Sequence, residues 1–533
     1  MHTIEQPSNE IGSAVEAVVP HNTVRVNAPL HDKLELIGHL LNALHAADIR
    51  YCHWKSSEHL DASMKGETDM DILFDPLQQN EVAGLLQQLG FKKFVAPGWR
   101  AYPGIADFIG LDLPSGKIIH VHAHYALTLG EAFLKGYQLP FVNQILAARV
   151  YDAAFDLYRI APAHELVLLY IRLALKTTHR DVLRFRLGKK PEYTANIFRE
   201  YKWLKQRCTP GDVSAAIECF QLQQPSIFRI AELPLSRANI IALRSHVRKA
   251  LLPHKLFSPL EGNMLRWYRE MVAVWRRKWM GAMGQPKPAK RTHPNGGLVI
   301  ALIGADGSGK STVIADLQGT FKKKIDICTV YMGKGRAGGL SLSRQLLVAS
   351  KKRNRTSKEK KTVGENAPVP AASTVQKPVK LSQLIYRCIE ALIVANERNR
   401  KLAIVAKARK QGMLVICDRF PQNQQHGYND GPALQHLRSA KNPLLRAIAS
   451  FENRVHKKAV AQPPDLVIKL VADPVLLRQR KPGTAALPIL TQKVNGIKAL
   501  HFAAPSVVVT IDAAKPLQDV LTEVKGQLWN EWK

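Results

Sequence analysis

The sequence predicts an α/β protein: a doubly wound parallel sheet in the C-terminal half, preceded by an α+β domain with a helical extension. Apolar strand runs such as Leu298–Ile303 and Met413–Cys417 alternate with helical patterns after residue 296, as in parallel sheets covered by helices. In the first half, the short strand patterns Tyr51–Trp54 and Met70–Phe74 follow a helical pattern that begins at His31. These patterns place an α+β unit before the parallel sheet.

Length and composition suit several folded domains, since the chain has 533 residues of which 46% are hydrophobic. Changes in composition predict five segments along the chain. They are a disordered N-terminus (1–30), an α+β domain (31–140), a helical extension (141–260), a basic amphipathic helix with a linker (261–295), and a C-terminal domain (296–533) with a disordered basic insert at about 337–380.

Charge and cysteine content limit the partners and the compartment. Lys and Arg number 76 against 43 Asp and Glu, which gives a net charge of +33. Such a field attracts nucleic acid, an anionic membrane face or phosphorylated substrates, without choosing among them. The six cysteines form no CxxC pair, and the N-terminus lacks the pattern of a secretory signal. We therefore expect a cytoplasmic protein with no transmembrane segment and no zinc site, and leave the oligomeric state open.

The stretch Gly304–Ser311, GADGSGKS, is the most specific motif in the chain. A buried strand, a glycine-rich loop and a helix N-terminus follow one another, which is the order that a phosphate-binding loop needs. Lys310 can reach the outer phosphates of ATP, and the Ser311 hydroxyl can bind Mg²⁺. The predicted ATP-binding residues are Gly304, Ala305, Asp306, Gly307, Ser308, Gly309, Lys310, Ser311 and Thr312.

Asp418 and Arg419 directly follow the predicted strand Met413–Cys417. An acid at the carboxyl end of a strand beside a phosphate loop can hold Mg²⁺ or its waters. An adjacent arginine can bind a second phosphate through two hydrogen bonds. The pair therefore predicts a metal ligand and a phosphate clamp.

GADGSGKST together with VICDRF resembles the thymidylate kinase-like branch of the nucleoside monophosphate kinases, over most of Gly296–Lys533. The resemblance implies an ATP- and Mg²⁺-dependent phosphotransferase acting on a nucleotide or another small acceptor. It implies that Asp306 faces the transferred group and that Arg419 grips the acceptor phosphate. Arg478 and Arg480 would close over the phosphoryl group as a basic lid. The segment after Arg419, PQNQQHGYNDGPALQ, differs from the thymine-reading segment of that family, so Gln422 and its neighbours could read another acceptor.

A second motif lies in the first half, where Asp69 and Asp71 flank Met70 on a predicted strand. Alternate residues of a strand point to one face, so the two carboxylates form a candidate Mg²⁺ site. With Ser56 and Ser57 upstream, the stretch resembles the polymerase-beta type of nucleotidyltransferase over roughly residues 48–74. The resemblance implies metal binding by Asp69 and Asp71 and a third carboxylate on a later strand.

Two features depart from that pattern. Lys55 stands where the family usually has glycine, and the later strand Lys117–Tyr125 carries three histidines but no acid. Asp107 or Asp112 could supply the third carboxylate. The histidines, which are His120, His122 and His124, are metal ligands or hydrogen-bonded parts of a half-buried strand.

Two alternatives to the kinase hypothesis remain from the sequence. The basic insert favours a nucleic-acid-associated NTPase or end-modifying kinase. The paired aspartates favour a nucleotidyltransferase with an accessory NTP-binding domain. Separately, the basic amphipathic helix over Asn263–Met283 predicts either packing of its apolar stripe between two domains or contact with an anionic membrane.

Overall fold

The computed structural model describes residues 32–189, 192–222, 224–282, 286–334, 381–483 and 485–533. Within them the chain is an α/β protein with a seven-stranded mixed sheet, a five-stranded parallel sheet and a two-stranded hairpin. The predicted N-terminal disorder at 1–30 and the basic insert at 337–380 lie outside the described residues.

The mixed sheet is built from residues 51–159 and has the strand order β3-β4-β5-β2-β1-β9-β8. Its elements, with the hairpin β6–β7, are α1 (Glu35–Ala46), β1 (Tyr51–His53), α2 (Leu60–Met64), β2 (Met70–Phe74), α3 (Gln79–Gln88), β3 (Lys92–Phe94), β4 (Ile105–Asp112), β5 (Lys117–His124), β6 (Leu127–Leu129), β7 (Tyr137–Leu139), α4 (Val142–Ala147), β8 (Val150–Asp152) and β9 (Leu157–Arg159).

The register of this sheet brings polar side chains together at its centre. On β5, His122 pairs with Asp71 of the parallel neighbour β2 and with Asp107 of the antiparallel neighbour β4. Residues opposite each other in neighbouring strands share a face of the sheet. Asp71, His122 and Asp107 therefore form a row across three strands.

Strands β8 and β9 lie inside the range 141–260, for which the sequence predicts helices. That prediction is wrong at its start, because β9 pairs with β1 and so extends the mixed sheet. Each strand has three residues, too few for an alternating pattern to show. The helices that follow are α5 (Pro162–Lys176), α6 (His179–Arg186), α7 (Ala195–Lys205), α8 (Pro210–Cys219), α9 (Pro225–Phe228) and α10 (Arg237–Ala250).

Helix α11 (Pro259–Ala282) confirms the predicted basic amphipathic helix, but its apolar stripe faces away from the rest of the protein. Its polar side contacts the protein, where Arg266 donates to Glu131 at 2.9 Å and Arg269 donates to the Phe133 carbonyl at 3.2 Å. The predicted interdomain packing of its apolar stripe is wrong for Met264 and Trp275, which are 64% and 52% exposed. The described part of the chain has no helix that is both long and apolar enough to cross a membrane.

The parallel sheet has the order β11-β12-β10-β13-β14, with every neighbouring pair parallel. Its elements are β10 (Val299–Gly304), α12 (Lys310–Phe321), β11 (Ile327–Tyr331), α13 (Leu381–Lys410), β12 (Leu414–Asp418), α14 (Pro443–Ala461), β13 (Leu466–Val471), α15 (Pro474–Arg480), α16 (Leu487–Ala499), β14 (Val507–Asp512) and α17 (Leu517–Glu531). All of β10 is buried at the centre of the sheet. Chain connections leave β10 toward β11 on one side and return to β13 on the other, which opens a crevice at its carboxyl end.

The segment between α11 and β10 adds to the edge of the mixed sheet. Val95, next to β3, forms an antiparallel bridge with Thr292, with N···O distances of 2.8 and 3.0 Å. The backbone N–H groups of Ala289 and Lys290 donate to Asp326, which precedes β11. This segment therefore carries basic residues, including Arg291, from the parallel sheet to the mixed sheet.

Candidate functional site

The glycine-rich loop occupies the crevice at the carboxyl end of β10. Gly307 and Gly309 have φ values of 89° and 84°, a backbone conformation that favours glycine. A Cβ atom on Gly307 would lie 2.5 Å from the carbonyl oxygen of Leu477 on α15, so the close packing also requires glycine. Helix α12 begins at Lys310, directly after the loop. The N–H groups at the start of a helix and the helix dipole favour an anion at such a position.

Lys310 is held inside the loop by the loop's own backbone. Its Nζ donates to the carbonyl oxygens of Gly304 and Ala305, each at 2.8 Å. The side chain is buried, and burial lowers the pKa of Lys310 to about 8. An anion in the loop would stabilise the ammonium and so raise the pKa of Lys310 again.

Asp418 ends β12 and pairs in register with Leu302 of the central strand. Its Oδ1 is buried and has no hydrogen-bond partner within the described residues. Burial raises the pKa of Asp418. Ser311 is exposed at the start of α12. A buried carboxylate oxygen that lacks a partner among the described residues and an exposed hydroxyl are oxygen ligands that suit Mg²⁺, so the residues fit the predicted metal.

Arg419 and Asp306, to which the sequence assigns separate roles at the acceptor phosphate and the transferred group, contact each other at the loop. Arg419 donates to Asp306 Oδ1 at 3.0 Å and lies 3.5 Å from Asp430 Oδ2. Its backbone has a φ of 67°, and its N–H donates to the Leu302 carbonyl. Lys493 of α16 lies 3.6 Å from the other oxygen of Asp306. Sequence reasoning missed Lys493, since it is one lysine on a separate helix with no motif around it.

Among the described residues, neither Arg478 nor Arg480 forms a hydrogen bond or ion pair with the loop, and their predicted role as a basic lid stays a prediction. Both side chains are exposed at the end of α15, and Arg480 donates to the Ala513 carbonyl at 2.6 Å. What α15 presents to the loop is the backbone of Leu477. Arg419 and Lys493, rather than Arg478 or Arg480, form the ion pairs with Asp306 in the described part of the chain.

A buried arginine holds one of the acids that contact Arg419. Arg398 of α13 donates to Asp430 Oδ1 at 3.0 Å and to the Met332 carbonyl at 3.1 Å. It also lies 3.2 Å from His456 Nε2, and His456 Nδ1 lies 2.8 Å from the Gln422 carbonyl. Burial lowers the pKa of His456 to about 3. A neutral ring that donates from Nδ1 and accepts at Nε2 satisfies both contacts.

The segment after Arg419 is folded around Gln422, which the sequence offered as an acceptor-reading residue. Its amide donates to the carbonyls of Gln425 and Asn429 at 3.0 Å and accepts from the Gln425 N–H at 2.7 Å. Asn429 in turn donates to the Lys493 carbonyl at 3.0 Å. Gln422 therefore shapes the loop, and the loop is fastened to α16.

The paired aspartates of the mixed sheet meet a third carboxylate, Asp107. His120 lies between two of them, with Nδ1 3.0 Å from Asp69 and Nε2 2.8 Å from Asp107. His122 Nδ1 lies 2.9 Å from Asp71. Asp112 lies elsewhere and accepts from the Leu36 N–H at 2.9 Å.

Each of these three carboxylates is paired with a cation. Lys55 lies 2.9 Å from Asp71, Arg291 lies 2.8 Å from Asp107, and Lys324 contacts Asp69. Lys324 follows α12, and Arg291 belongs to the segment that bridges to β3. We call Asp69, Asp71 and Asp107 with these cations the closed acid cluster.

The histidines add nitrogen donors to this cluster. Asp71, His122 and His124 place one potential metal-ligating atom each within 4.8 Å of one another. Burial lowers the pKa of both histidines, that of His124 to about 3, which favours the neutral form that can bind a metal. Because Lys55 contacts the same carboxylate oxygen of Asp71, a metal at this position would have to displace it.

Comparisons with known proteins place the chain near two bacterial sequences. A search of family models finds none that matches. The uncharacterized ATP-binding protein YghR of Escherichia coli K12 is 26% identical over 230 residues, which is 43% of this chain and 85% of YghR. The uncharacterized ATP-binding protein YghS of the same organism is 27% identical over 226 residues, or 42% of this chain and 89% of YghS. Both relatives carry a name that specifies ATP binding and no reaction.

Proposed function

We propose that this protein is an ATP- and Mg²⁺-dependent phosphotransferase of the thymidylate kinase-like type, which moves the γ-phosphoryl group to a nucleotide or another small phosphorylated acceptor. The observation that carries the proposal is the contact of Arg419 with Asp306, which lies within the glycine-rich loop. A protein that only binds ATP has no need of an arginine at this position. The names of the relatives support ATP as the donor.

Binding of the donor follows from the loop. Its N–H groups and Lys310 would hold the phosphates of ATP. Ser311 and Asp418 would hold Mg²⁺, which supplies positive charge to the phosphate oxygens when bound. Release of Lys310 from the Gly304 and Ala305 carbonyls lets its ammonium turn toward the phosphates. Charge neutralisation and positioning account for most of the catalysis in phosphoryl transfer.

We assign selection of the acceptor to Arg419 and the segment that follows it. Arg419 is held between Asp306 and Asp430, with Arg398 fixing Asp430 from below. An acceptor phosphate would replace one of these carboxylates as the partner of the Arg419 guanidinium. Carboxylates and phosphates can both accept two parallel N–H hydrogen bonds from an arginine. The loop around Gln422, held against α16, would form the rest of the acceptor pocket.

The test is a screen of nucleoside monophosphates and other small phosphorylated acceptors with the full chain, Mg²⁺ and ATP, read as ADP release. We expect ADP release to rise with one acceptor class and to fall to background in Lys310→Ala. Lys322→Ala, an exposed lysine just beyond the other end of α12, is the matched control and should keep full activity. Full activity in Lys310→Ala, or ADP release that no acceptor increases, would contradict the proposal.

A second proposal concerns the exposed stripe of α11. Seven large apolar side chains, each more than a third exposed, lie at helical spacing on its outer face: Leu260, Met264, Trp267, Tyr268, Met271, Val274 and Trp275. Tryptophan and tyrosine favour the interface between water and lipid. With a net charge of +33 on the chain, we propose that this stripe rests on an anionic membrane surface.

Cosedimentation with lipid vesicles tests this second proposal. We expect binding to vesicles that contain phosphatidylserine, weaker binding to pure phosphatidylcholine, and loss of binding in Trp267→Ser/Trp275→Ser. The matched control is Leu183→Ser/Leu187→Ser, which removes two exposed leucines at α6. Equal binding by the tryptophan variant would contradict the proposal, as would self-association of the chain that the tryptophan variant abolishes.

A further inference from the structure

Three glutamates converge in a buried position behind the Ser56–Ser57 turn. Glu58 lies on the turn, Glu165 on α5 and Glu200 on α7. One potential ligand atom of each lies within 4.8 Å of those of the other two. The sequence alone does not indicate this group, because the three residues are far apart in the chain. Only the packing of α5 and α7 against the turn brings them together. None of the three belongs to the glycine-rich loop or to the closed acid cluster.

The three carboxylates are buried and only partly satisfied. Glu165 is 1% exposed and Glu200 is 6% exposed. Glu165 Oε1 accepts from the Ser57 N–H at 3.0 Å, and Glu200 Oε1 accepts from Arg172 at 2.6 Å. The second oxygen, Oε2, of both Glu58 and Glu165 is buried without a hydrogen-bond partner in the described part of the chain. Buried polar atoms of this kind usually have a partner that binds them.

The negative charge of the three carboxylates is also only partly balanced. Among the described residues, Arg172 is the one lysine or arginine that forms an ion pair with any of the three carboxylates, and it contacts Glu200 alone. The neighbouring Arg199 donates to His59 Nε2 at 2.8 Å, and that nitrogen lies 3.2 Å from Glu58. Three ionised carboxylates and one arginine leave two negative charges in a buried volume. Two bound protons or one divalent cation would balance them.

We propose that Glu58, Glu165 and Glu200 bind a hard divalent cation, one of Mg²⁺, Mn²⁺ or Ca²⁺, as a structural site. An all-oxygen donor set of three carboxylates suits these ions and disfavours soft metals. The ion would fasten the Ser56–Ser57 turn to α5 and α7. Ser56 has a φ of 58°, so the turn holds a backbone conformation that its own residue type does not favour. The bound ion would stabilise the conformation of the turn and would have no direct part in phosphoryl transfer.

Metal counting on the full chain tests this proposal. After treatment with EDTA, Mn²⁺ is titrated and bound ion is counted by electron paramagnetic resonance, in the Asp418→Asn background that removes the metal ligand at the glycine-rich loop. We expect one tightly bound equivalent, together with a rise of a few degrees in the melting temperature. Glu165→Gln, which keeps an acceptor for the Ser57 N–H, should lose both. Glu131→Gln, whose carboxylate pairs with Arg248 and Arg266, is the matched control and should keep both. Repeating the melting curves with Mg²⁺ and Ca²⁺ identifies the preferred ion.

Two results would overturn the proposal. One is the absence of the bound equivalent in the Asp418→Asn protein. The other is equal binding with and without Glu165, which would mean that protons balance the glutamates and that Mn²⁺ sits elsewhere. If Glu165→Gln fails to fold, Glu58→Gln on the turn gives the same comparison, with circular dichroism to confirm folding.

Discussion

The glycine-rich loop and the closed acid cluster both gather charged groups on a sheet, one at the end of β10 and the other across β2, β4 and β5, but they differ in which of these groups still lack a partner among the described residues. At the loop, Asp418 keeps a buried oxygen without a partner in the described residues, and Lys310 contacts only loop oxygens. In the cluster, Asp69, Asp71 and Asp107 each contact a lysine or an arginine. The first arrangement is ready for a metal and an anion, whereas the second already has its counter-ions.

The same helix serves both regions. Helix α12 begins with Lys310 at the loop and is followed by Lys324 at Asp69. A carboxylate pair alone is thus a poor sign of a working metal site, because cations from distant segments can fill it. The four predictions below test this contrast, in order of decreasing effect.

The largest effect is expected when the two aspartate sites are compared directly. Asp418→Asn should lower kcat for phosphoryl transfer by about 10²- to 10³-fold, as the loss of one charge-stabilising group typically does. Asp71→Asn should leave kcat unchanged, since Lys55 and His122 already engage that carboxylate. Steady-state ADP release with the acceptor found in the screen measures both. A large loss in Asp71→Asn, with full activity in Asp418→Asn, would reverse the roles of the two regions.

The next largest effect concerns stability of the loop region. Arg398→Leu leaves Asp430 with one cation fewer in a buried position and removes the hydrogen bonds to Met332 and His456. Breaking a buried ion pair by removing one partner costs about 3–5 kcal/mol in the free energy of unfolding. Urea unfolding followed by circular dichroism measures the change. Arg400→Leu, an exposed position on the same helix, is the control, and an equal loss in both variants would argue against the buried network.

How far sequence reasoning reaches can be seen at these sites. Gly304–Ser311 and Asp418–Arg419 lie in contiguous motifs at strand ends, so their convergence follows from the parallel sheet alone. Asp107 could be offered only as one of two options, since choosing it over Asp112 requires the register of β4 on β5.

The contacts that close the acid cluster are beyond sequence reasoning for a related reason. Lys324 and Arg291 are two of many basic residues, and no local pattern marks them. Their positions depend on how the bridge Val95–Thr292 and the end of α12 place the backbone. Arg398 and Lys493 were missed on the same ground, because each contacts an acid that is distant in the chain: Arg398 contacts Asp430, 32 residues away, and Lys493 contacts Asp306 on the glycine-rich loop.

A smaller effect is expected from opening the cluster. Lys324→Gln removes the cation from Asp69 and should raise the affinity of the mixed-sheet site for Mn²⁺ by at least about tenfold, because like charges close together cost roughly 4 kcal/mol at an effective dielectric of 20. Electron paramagnetic resonance of Mn²⁺ in the Asp418→Asn background detects it. Lys323→Gln, the adjacent residue, is the control. Transfer of label from an α-labelled NTP by Lys324→Gln would favour the nucleotidyltransferase alternative, and unchanged Mn²⁺ affinity would show that Lys324 does not close the site.

The smallest effect is a pH dependence of ATP binding. Burial lowers the pKa of Lys310 to about 8 in the free loop, and bound phosphates favour its charged form and raise that pKa. Below pH 8 the ammonium is already present, so this group adds no pH dependence there. Above pH 8 binding must take up a proton, and the dissociation constant should rise by up to about tenfold for each pH unit. Calorimetric titration of MgATP at pH 7, 8 and 9, in two buffers of different ionisation enthalpy, measures both the affinity and the proton uptake. Lys310→Arg keeps its charge throughout this range and should bind without proton uptake. A wild-type affinity that stays constant from pH 8 to 9, with no proton taken up, would show that Lys310 keeps its charge in the free loop.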